Sequence, residues 1–313
     1  MKDYFYCIDV GGTFIKSGIV SAAGDVLFKT KIKTCPQSET NDLSNNIMLL
    51  IEELEKKSNL PFSNALGLGI GIAGLVNSKT GVILKSGNLN LYNYPLLEKL
   101  KTKISIPIKI ANDADVATLA ELVYGSGKGN LNLVMLTLGT GIGSGIVING
   151  KLLQSQNGLS SELGHSKISN QKIKCGCGEY GCFEALASTK ALAIMTAHAM
   201  KKNKESAMWQ TYNLENVCGK TVFEYLDTDD TAKQVFDKYI ENLGSGVVNV
   251  INTLSPDTII IGGAVSNQKD RLITPLTDYV KKHSFAKEHM DTKIMIAKFT
   301  GDAGIIGARC LFL

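Results

Sequence analysis

Three of the seven cysteines and one of the four histidines of this 313-residue chain fall within eighteen residues. The run reads Glu162-Leu-Gly-His165, nine residues, then Cys175-Gly-Cys177-Gly-Glu-Tyr-Gly-Cys182-Phe-Glu184. Soft thiolates with one imidazole make a Cys3His set, a common closed tetrahedral zinc sphere. Gly176, Gly178 and Gly181 separate the thiols, as a backbone winding tightly around a small ion requires. Disulfide pairing would leave an odd thiol and needs an oxidising compartment, so zinc on His165, Cys175, Cys177 and Cys182 is the expectation. A closed zinc site is structural. Its expected job is to hold Glu162, Glu184 and His165 still.

A second kind of chemistry sits at glycine turns. Gly12-Thr-Phe-Ile-Lys-Ser-Gly-Ile-Val20 and Gly139-Thr-Gly-Ile-Gly-Ser-Gly-Ile-Val147 agree at seven of nine positions, offset by 127. Each follows an apolar strand and leads into another. Such turns leave backbone N–H groups free to face phosphate oxygens, with no side chain in the way. Thr13 and Thr140 add hydroxyl donors and Lys16 a positive charge. No Gly-x-x-x-x-Gly-Lys-Ser/Thr loop occurs, so this is not a P-loop nucleotidase. Chance likeness between glycine-rich hairpins is the competing account; two similarly built domains facing each other is the expected one. Asp9, closing the first strand, is placed either to reach Mg2+ or to satisfy turn amides. Asn112-Asp113 lies where a strand meets a helix. Either residue serves as the helix cap, and Asp113 is the candidate general base.

The elements that must position these groups alternate, as in mixed α/β layers. Strands are expected at residues 4–10, 17–20, 26–33, 66–72, 82–84, 107–111, 133–138, 258–261 and 293–297. Helices are expected from Asp42, with Ile47, Leu50, Ile51 and Leu54 on one face, and over 95–103, from 112, 188–202, 231–254, 270–283 and 303–313. The stretch before Asp42 reads as a polar loop, and residues 203–230 give no clear pattern. Apolar residues make up 44% and charged residues 20%, an ordinary globular balance, and the length suits two domains. Net charge is +4 and no Lys/Arg block exceeds two residues, which argues against nucleic acid as a partner. No signal peptide or membrane span is evident, and unpaired cysteines fit a reducing cytoplasm. Cytoplasmic localisation is the expectation.

Together these motifs resemble the ROK family of repressors and sugar kinases, within the hexokinase/actin-like group. The resemblance runs from Asp9 to Arg309. It is carried by Asp9-x-Gly-Gly-Thr-x-x-Lys16, Asn112-Asp-Ala, Leu138-Gly-Thr-Gly-Ile-Gly143, Glu162-x-Gly-His165, Cys175-x-Cys-Gly-x-x-Gly-Cys-x-Glu184 and Gly262-Gly263. Within the family the chain is most similar to the bacterial glucokinases; Asn88-Leu89 and Asp302-Ala-Gly-Ile-Ile-Gly307 fit them too. The resemblance implies a two-domain hexokinase-like α/β fold of duplicated ribonuclease-H-like halves. The last helix would return to the N-terminal domain, giving 1–111 plus 298–313 and 112–297 as the domains. It implies ATP with Mg2+ as phosphoryl donor, a hexose as acceptor, closure around the sugar, and a homodimer or homotetramer.

Roles carry over by position. Asp113 would take the proton from the sugar's 6-hydroxyl. Asn112, Glu162, His165 and Glu184 would bind the other hydroxyls, with Gly74 and Asn88 nearby. Asp9, Gly11, Gly12, Thr13, Lys16, Gly139, Thr140 and Gly141 would serve the phosphates, and Gly262 and Gly263 the adenosine. His165 would serve twice, one ring nitrogen on zinc and the other on the sugar. The chain departs from the family pattern at four places. Gly71-Ile-Ala-Gly-Leu-Val-Asn77 lacks two prolines and an acid, and Leu91 replaces a common tryptophan. Asp115 stands where asparagine is usual, and Ser160-Ser161 where small glycine-rich residues precede Glu162. Acceptors other than glucose (N-acetylmannosamine, fructose, β-glucosides) therefore stay open, as does a sugar-responsive transcriptional regulator.

Overall fold

A computed structural model describes residues 3–35, 42–289 and 291–313. Most of the polar stretch expected before Asp42 lies outside the described residues. In chain order the strands are β1 (Tyr4–Val10), β2 (Phe14–Ser21), β3 (Val26–Lys33), β4 (Leu68–Ile72), β5 (Leu75–Asn77), β6 (Val82–Ser86), β7 (Leu91–Tyr94), β8 (Ile108–Asn112), β9 (Leu133–Leu138), β10 (Ile142–Ile148), β11 (Lys151–Leu152), β12 (Thr258–Gly263) and β13 (Lys293–Ile296). The helices are α1 (Leu43–Ser58), α2 (Leu96–Lys101), α3 (Asp113–Tyr124), α4 (Phe183–Ala187), α5 (Thr189–Lys202), α6 (Thr221–Tyr225), α7 (Asp230–Leu254), α8 (Asp270–His283) and α9 (Ala303–Cys310).

Two five-stranded sheets repeat one plan. The first has order β3-β2-β1-β4-β8 and the second β11-β10-β9-β12-β13. In each, an antiparallel ribbon runs into two parallel strands. The sequence echo between residues 12–20 and 139–147 is the mark of this shared plan. A third sheet, β5-β6-β7, is small and antiparallel. Its outer strands are three and four residues long, too short for a periodicity to reveal.

The chain separates into two compact units. The first comprises Met1–Leu131, Gly145–Ser161 and Gly301–Leu313, the second Asn132–Ser144 and Glu162–Thr300. This division differs from the expected 1–111 plus 298–313 and 112–297, because α3 packs mainly on α9.

In the first unit, β1 is covered on both faces, as its unbroken apolar run requires. Tyr4, Tyr6, Ile8 and Val10 join the core beneath α1, whose Ile47, Leu50, Ile51 and Leu54 are all buried. Phe5 and Cys7 point the other way, into a core shared with Val116 of α3 and Ile305 and Ala308 of α9. A period of two then puts Asp9 on the α9 side as well. There α9 approaches so closely that a Cβ on Gly304 would lie 2.4 Å from the Asp9 carboxyl carbon. The edge strand β3 presents Lys29, Lys31 and Lys33 outward, which discourages pairing with another chain.

In the second unit α7 is the long spine, capped by the Asp229 carboxylate and ended at Ser255 in a left-handed turn. The uninterpreted stretch 203–230 folds as a 3-10 turn (Ala207–Gln210) and α6 around a small cluster of Met200, Met208, Trp209 and Tyr225. Among the described residues no helix is long and apolar enough to cross a membrane.

Candidate functional site

The site residues of the first unit gather at the carboxyl ends of β1, β4 and β8, where open α/β sheets hold their ligands. Asp9 pairs with Lys16 across the β1–β2 ribbon, Nζ to Oδ2 3.5 Å. Burial pushes the Asp9 carboxyl up, and the Lys16 charge and hydrogen bond offset only part of that rise. Lys16 Nζ also donates to the Gly301 carbonyl at 3.0 Å. The turn is closed by the Gly11 amide on the Phe14 carbonyl at 3.0 Å and braced by Thr34, whose hydroxyl donates to Gly11 O at 2.8 Å. Gly12 and Thr13, at its tip, are exposed, and the exposed Asn88 packs over Gly12.

At the next strand end the cap is decided. Asn112 Oδ1 accepts from the amides of Ala114 (2.8 Å) and Asp115 (3.2 Å), so Asn112 caps α3. Its Nδ2 donates to the Gly74 carbonyl at 2.9 Å, tying the cap to the β4–β5 loop. Asp113 is the first residue of α3, half-buried, with Oδ1 3.0 Å from the Ala114 amide.

In the second unit the other glycine turn follows β9. The Gly139 amide donates to Gly141 O at 2.9 Å, and Thr189 holds the turn with its amide on Gly139 O (3.0 Å) and its hydroxyl on Leu138 O (3.2 Å). Sequence reasoning misses Thr189; its position at the start of α5 after the Ser188 cap is the only local signal. β12 runs parallel to β9 with Gly263 opposite Leu138, so Gly262-Gly263 ends beside the Gly139 turn.

Glu184, in the single turn of α4, joins this turn to the cysteine cluster. Its Oε2 accepts from the Ile142 amide at 3.1 Å and its Oε1 from Cys175 Sγ at 3.5 Å. Glu162 is exposed and begins a 3-10 turn (Leu163–His165) in which the His165 amide donates to Glu162 O at 3.0 Å.

The ligand atoms of His165, Cys175, Cys177 and Cys182 all lie within 4.8 Å of one another. Cys175 Sγ is 3.6 Å from His165 Nδ1, and the sulfurs of Cys177 and Cys182 are 3.8 Å apart. A disulfide needs about 2.05 Å. Two corners of a tetrahedron with metal–sulfur bonds of about 2.3 Å stand roughly 3.8 Å apart. The donor set therefore fits a zinc ion and not a disulfide. The loop is built for this closeness. The Cys175 amide donates to Glu179 O at 2.7 Å and the Gly181 amide to Ile173 O at 3.0 Å. Gly181 has φ +73°, and a Cβ there would meet the Ser169 carbonyl at 2.0 Å. Burial pushes the Cys175 thiol up to about 12 and raises Cys182, whereas a hydrogen bond from the Glu179 backbone lowers Cys177. Even thiols as reluctant to ionise as Cys175 and Cys182 become thiolates when a soft cation takes the proton's place.

Known proteins resemble the chain over nearly its whole length. A glucokinase of Halalkalibacterium halodurans is 33% identical over 99% of this chain and 96% of its own. A xylose repressor of Caldicellulosiruptor bescii is 27% identical over 98% of this chain and 77% of its own length. The structure superposes on a ROK family glucokinase of Streptomyces griseus, solved with glucose and AMPPNP, with a TM-score of 0.86 at 27% identity over 98% of both chains. The family model matching residues 5–313 is that of ROK, and the chain belongs to the ROK family.

Proposed function

We propose that the chain is an ATP-dependent sugar kinase that phosphorylates the 6-hydroxyl of a hexose, with glucose the leading acceptor. The observation that carries the reading is the division of labour at residues 112 and 113. Asn112 caps α3 through the Ala114 and Asp115 amides, and Asp113 follows it as the first residue of the helix, at the carboxyl end of β8. The glucokinase relatives support the choice of acceptor.

In this reading the sugar O6 attacks the γ-phosphorus as Asp113 accepts its proton. The new O6–P bond forms while the bond to the β,γ-bridging oxygen breaks, and ADP leaves with that electron pair. Phosphoryl transfer asks mainly for positioning and charge neutralisation. Gly12, Thr13, Thr140 and Gly141 supply amides and hydroxyls to phosphates, Gly11 and Gly139 shape the two turns with their own amides on Phe14 O and Gly141 O, and Lys16 supplies charge. Asp9 serves the Mg2+ that accompanies ATP, and Gly262-Gly263 lies by the adenosine. Asn112, Glu162, His165 and Glu184 orient the ring hydroxyls, and Gly74 and Asn88 serve the same substrate. Zinc held by His165, Cys175, Cys177 and Cys182 would fix the imidazole's tautomer and angle.

Coupled ADP-release assays across a hexose panel test the reading. Asp113→Asn is expected to lose at least about 100-fold in kcat; near wild-type turnover overturns the assignment. The repressor relative gives the alternative, a sugar-responsive regulator, some weight. Sugar-dependent retention of DNA without ADP release would select it.

A further inference from the structure

Asp115 and Ser160, 45 residues apart in the chain, touch each other. Asp115 is fully buried, in the first turn of α3, two residues after Asp113. Its Oδ2 accepts a hydrogen bond from the Ser160 hydroxyl and another from Gln154 Nε2 at 3.0 Å. Gln154 is held in turn, its Oε1 accepting from Ser78 Oγ at 3.0 Å. Ser78 also binds the same segment through its amide and hydroxyl, both 3.0 Å from Gly158 O. Lys79 Nζ donates to Gln156 O beside them. The strap of residues 153–161 is thus fastened on one side to the β5–β6 turn and on the other to the helix that carries Asp113. Its own closure comes from the Ser155 amide on Leu159 O at 2.8 Å. All of these residues belong to the first unit.

A buried carboxylate costs free energy unless its partners repay it, and Asp115 Oδ1 has no hydrogen-bond partner. Such a group survives where it holds something in place. We propose that Asp115, with Ser160, Gln154 and Ser78, is a positioning clamp that fixes the strap against the first turn of α3 and so holds the start of the helix that carries Asp113. This rests on the reading of Asp113 as base. The clamp touches neither substrate; it acts through Asp113 on the acceptor.

The experiment compares Asp115→Ala, Asp115→Asn, Ser160→Gly and the Asp115→Asn/Ser160→Gly double variant with the full-length wild type. Hydrogen exchange is read peptide by peptide without substrates, and KM for glucose and for ATP with them. Loss of a hydrogen bond to a buried carboxylate should speed exchange across 153–161 by about 10-fold or more in Asp115→Ala, leaving β1 and α1 unchanged. KM for the sugar should rise by a similar factor while KM for ATP stays within about twofold. Ser160→Gly should show the same pattern more weakly, and the double variant should be no worse than the poorer single. Unchanged strap exchange, additive losses, or equal rises in both KM values overturn the clamp. If Asp115→Ala does not fold, Gln154→Ala and Ser160→Gly decide the question from the strap side. Wild type inactive on every hexose sinks the kinase reading and with it the kinetic role, whereas an active wild type with unaltered variants sinks the clamp alone.

Discussion

Replacing Asp115 by asparagine should change how stability depends on pH. Burial, opposed only in part by the hydrogen bonds from Ser160 and Gln154, leaves this carboxyl at about 6 against the ordinary 3.8. Both donors are neutral, and Oδ1 has none. The folded chain therefore binds the proton more tightly than the unfolded chain. Between about pH 4 and pH 6 the unfolded state holds fewer protons, so stability falls as pH rises. The contribution is fully present below the unfolded value and is gone above about pH 6. With these two values, linkage gives about 1.4 kcal/mol at pH 5 and almost nothing at pH 7.5. The asparagine of the variant does not titrate. Urea unfolding of wild type and Asp115→Asn at pH 5, 6 and 7.5 should show the variant gaining about 1.4 kcal/mol on the wild type across that range, whatever its absolute stability. Parallel curves would refute the reasoning, since they would mean that Oδ1 is solvated in the folded protein.

Two further perturbations address other parts of the molecule. Purified protein should carry about one zinc per chain, and Cys182→Ser or prolonged chelation should abolish that metal and lower Tm, because four converging donors in one loop are worth several kcal/mol only when an ion joins them; metal analysis with a thermal melt checks this, and a full zinc content in Cys182→Ser would count against the ligand set. Asp42→Ala should destabilise the first unit by about 1–2 kcal/mol, as it removes the cap accepting from the Ser44 amide (2.8 Å), Tyr94 Oη (2.8 Å) and Lys99 Nζ (3.1 Å). Burial pushes Asp42 up, yet those donors outweigh it and hold the carboxyl below its usual range, so the same stability should fade on acidification.

Much of this was legible in the sequence, for definite reasons. Continuous apolar runs marked β1 and β9, the glycine echo marked a repeated sheet plan, and four soft donors within eighteen residues marked the cluster. What stayed hidden depended on distant partners. Asn112 and Asp113 are equal candidates for the cap until the Gly74 carbonyl is seen to claim the asparagine amide. Asp115 reads as one more first-turn acid; nothing local announces that Gln154 and Ser160, some forty residues on, bury it. The boundary expected at residue 111 differs from the contact division for a related reason: α3 finds its packing surface on α9, far along the chain. The one-turn helix α4 and the short strands β5 and β7 carry too few residues for any periodicity.

The place of α9 bears on how the protein is made. Residues 303–310 lie against β1, β2, β4 and α3, yet nearly 180 residues separate the end of α3 from their synthesis. At 5–20 residues per second a ribosome needs roughly ten seconds or more to cover that distance. During this interval Phe5, Cys7, Val20 and Val116 have no Ile305 or Ala308 to meet, although all the strands of their sheet have already emerged. The half of the molecule that starts first is thus the half that finishes last, and a nascent chain must shelter that bare apolar face until its closing helix arrives.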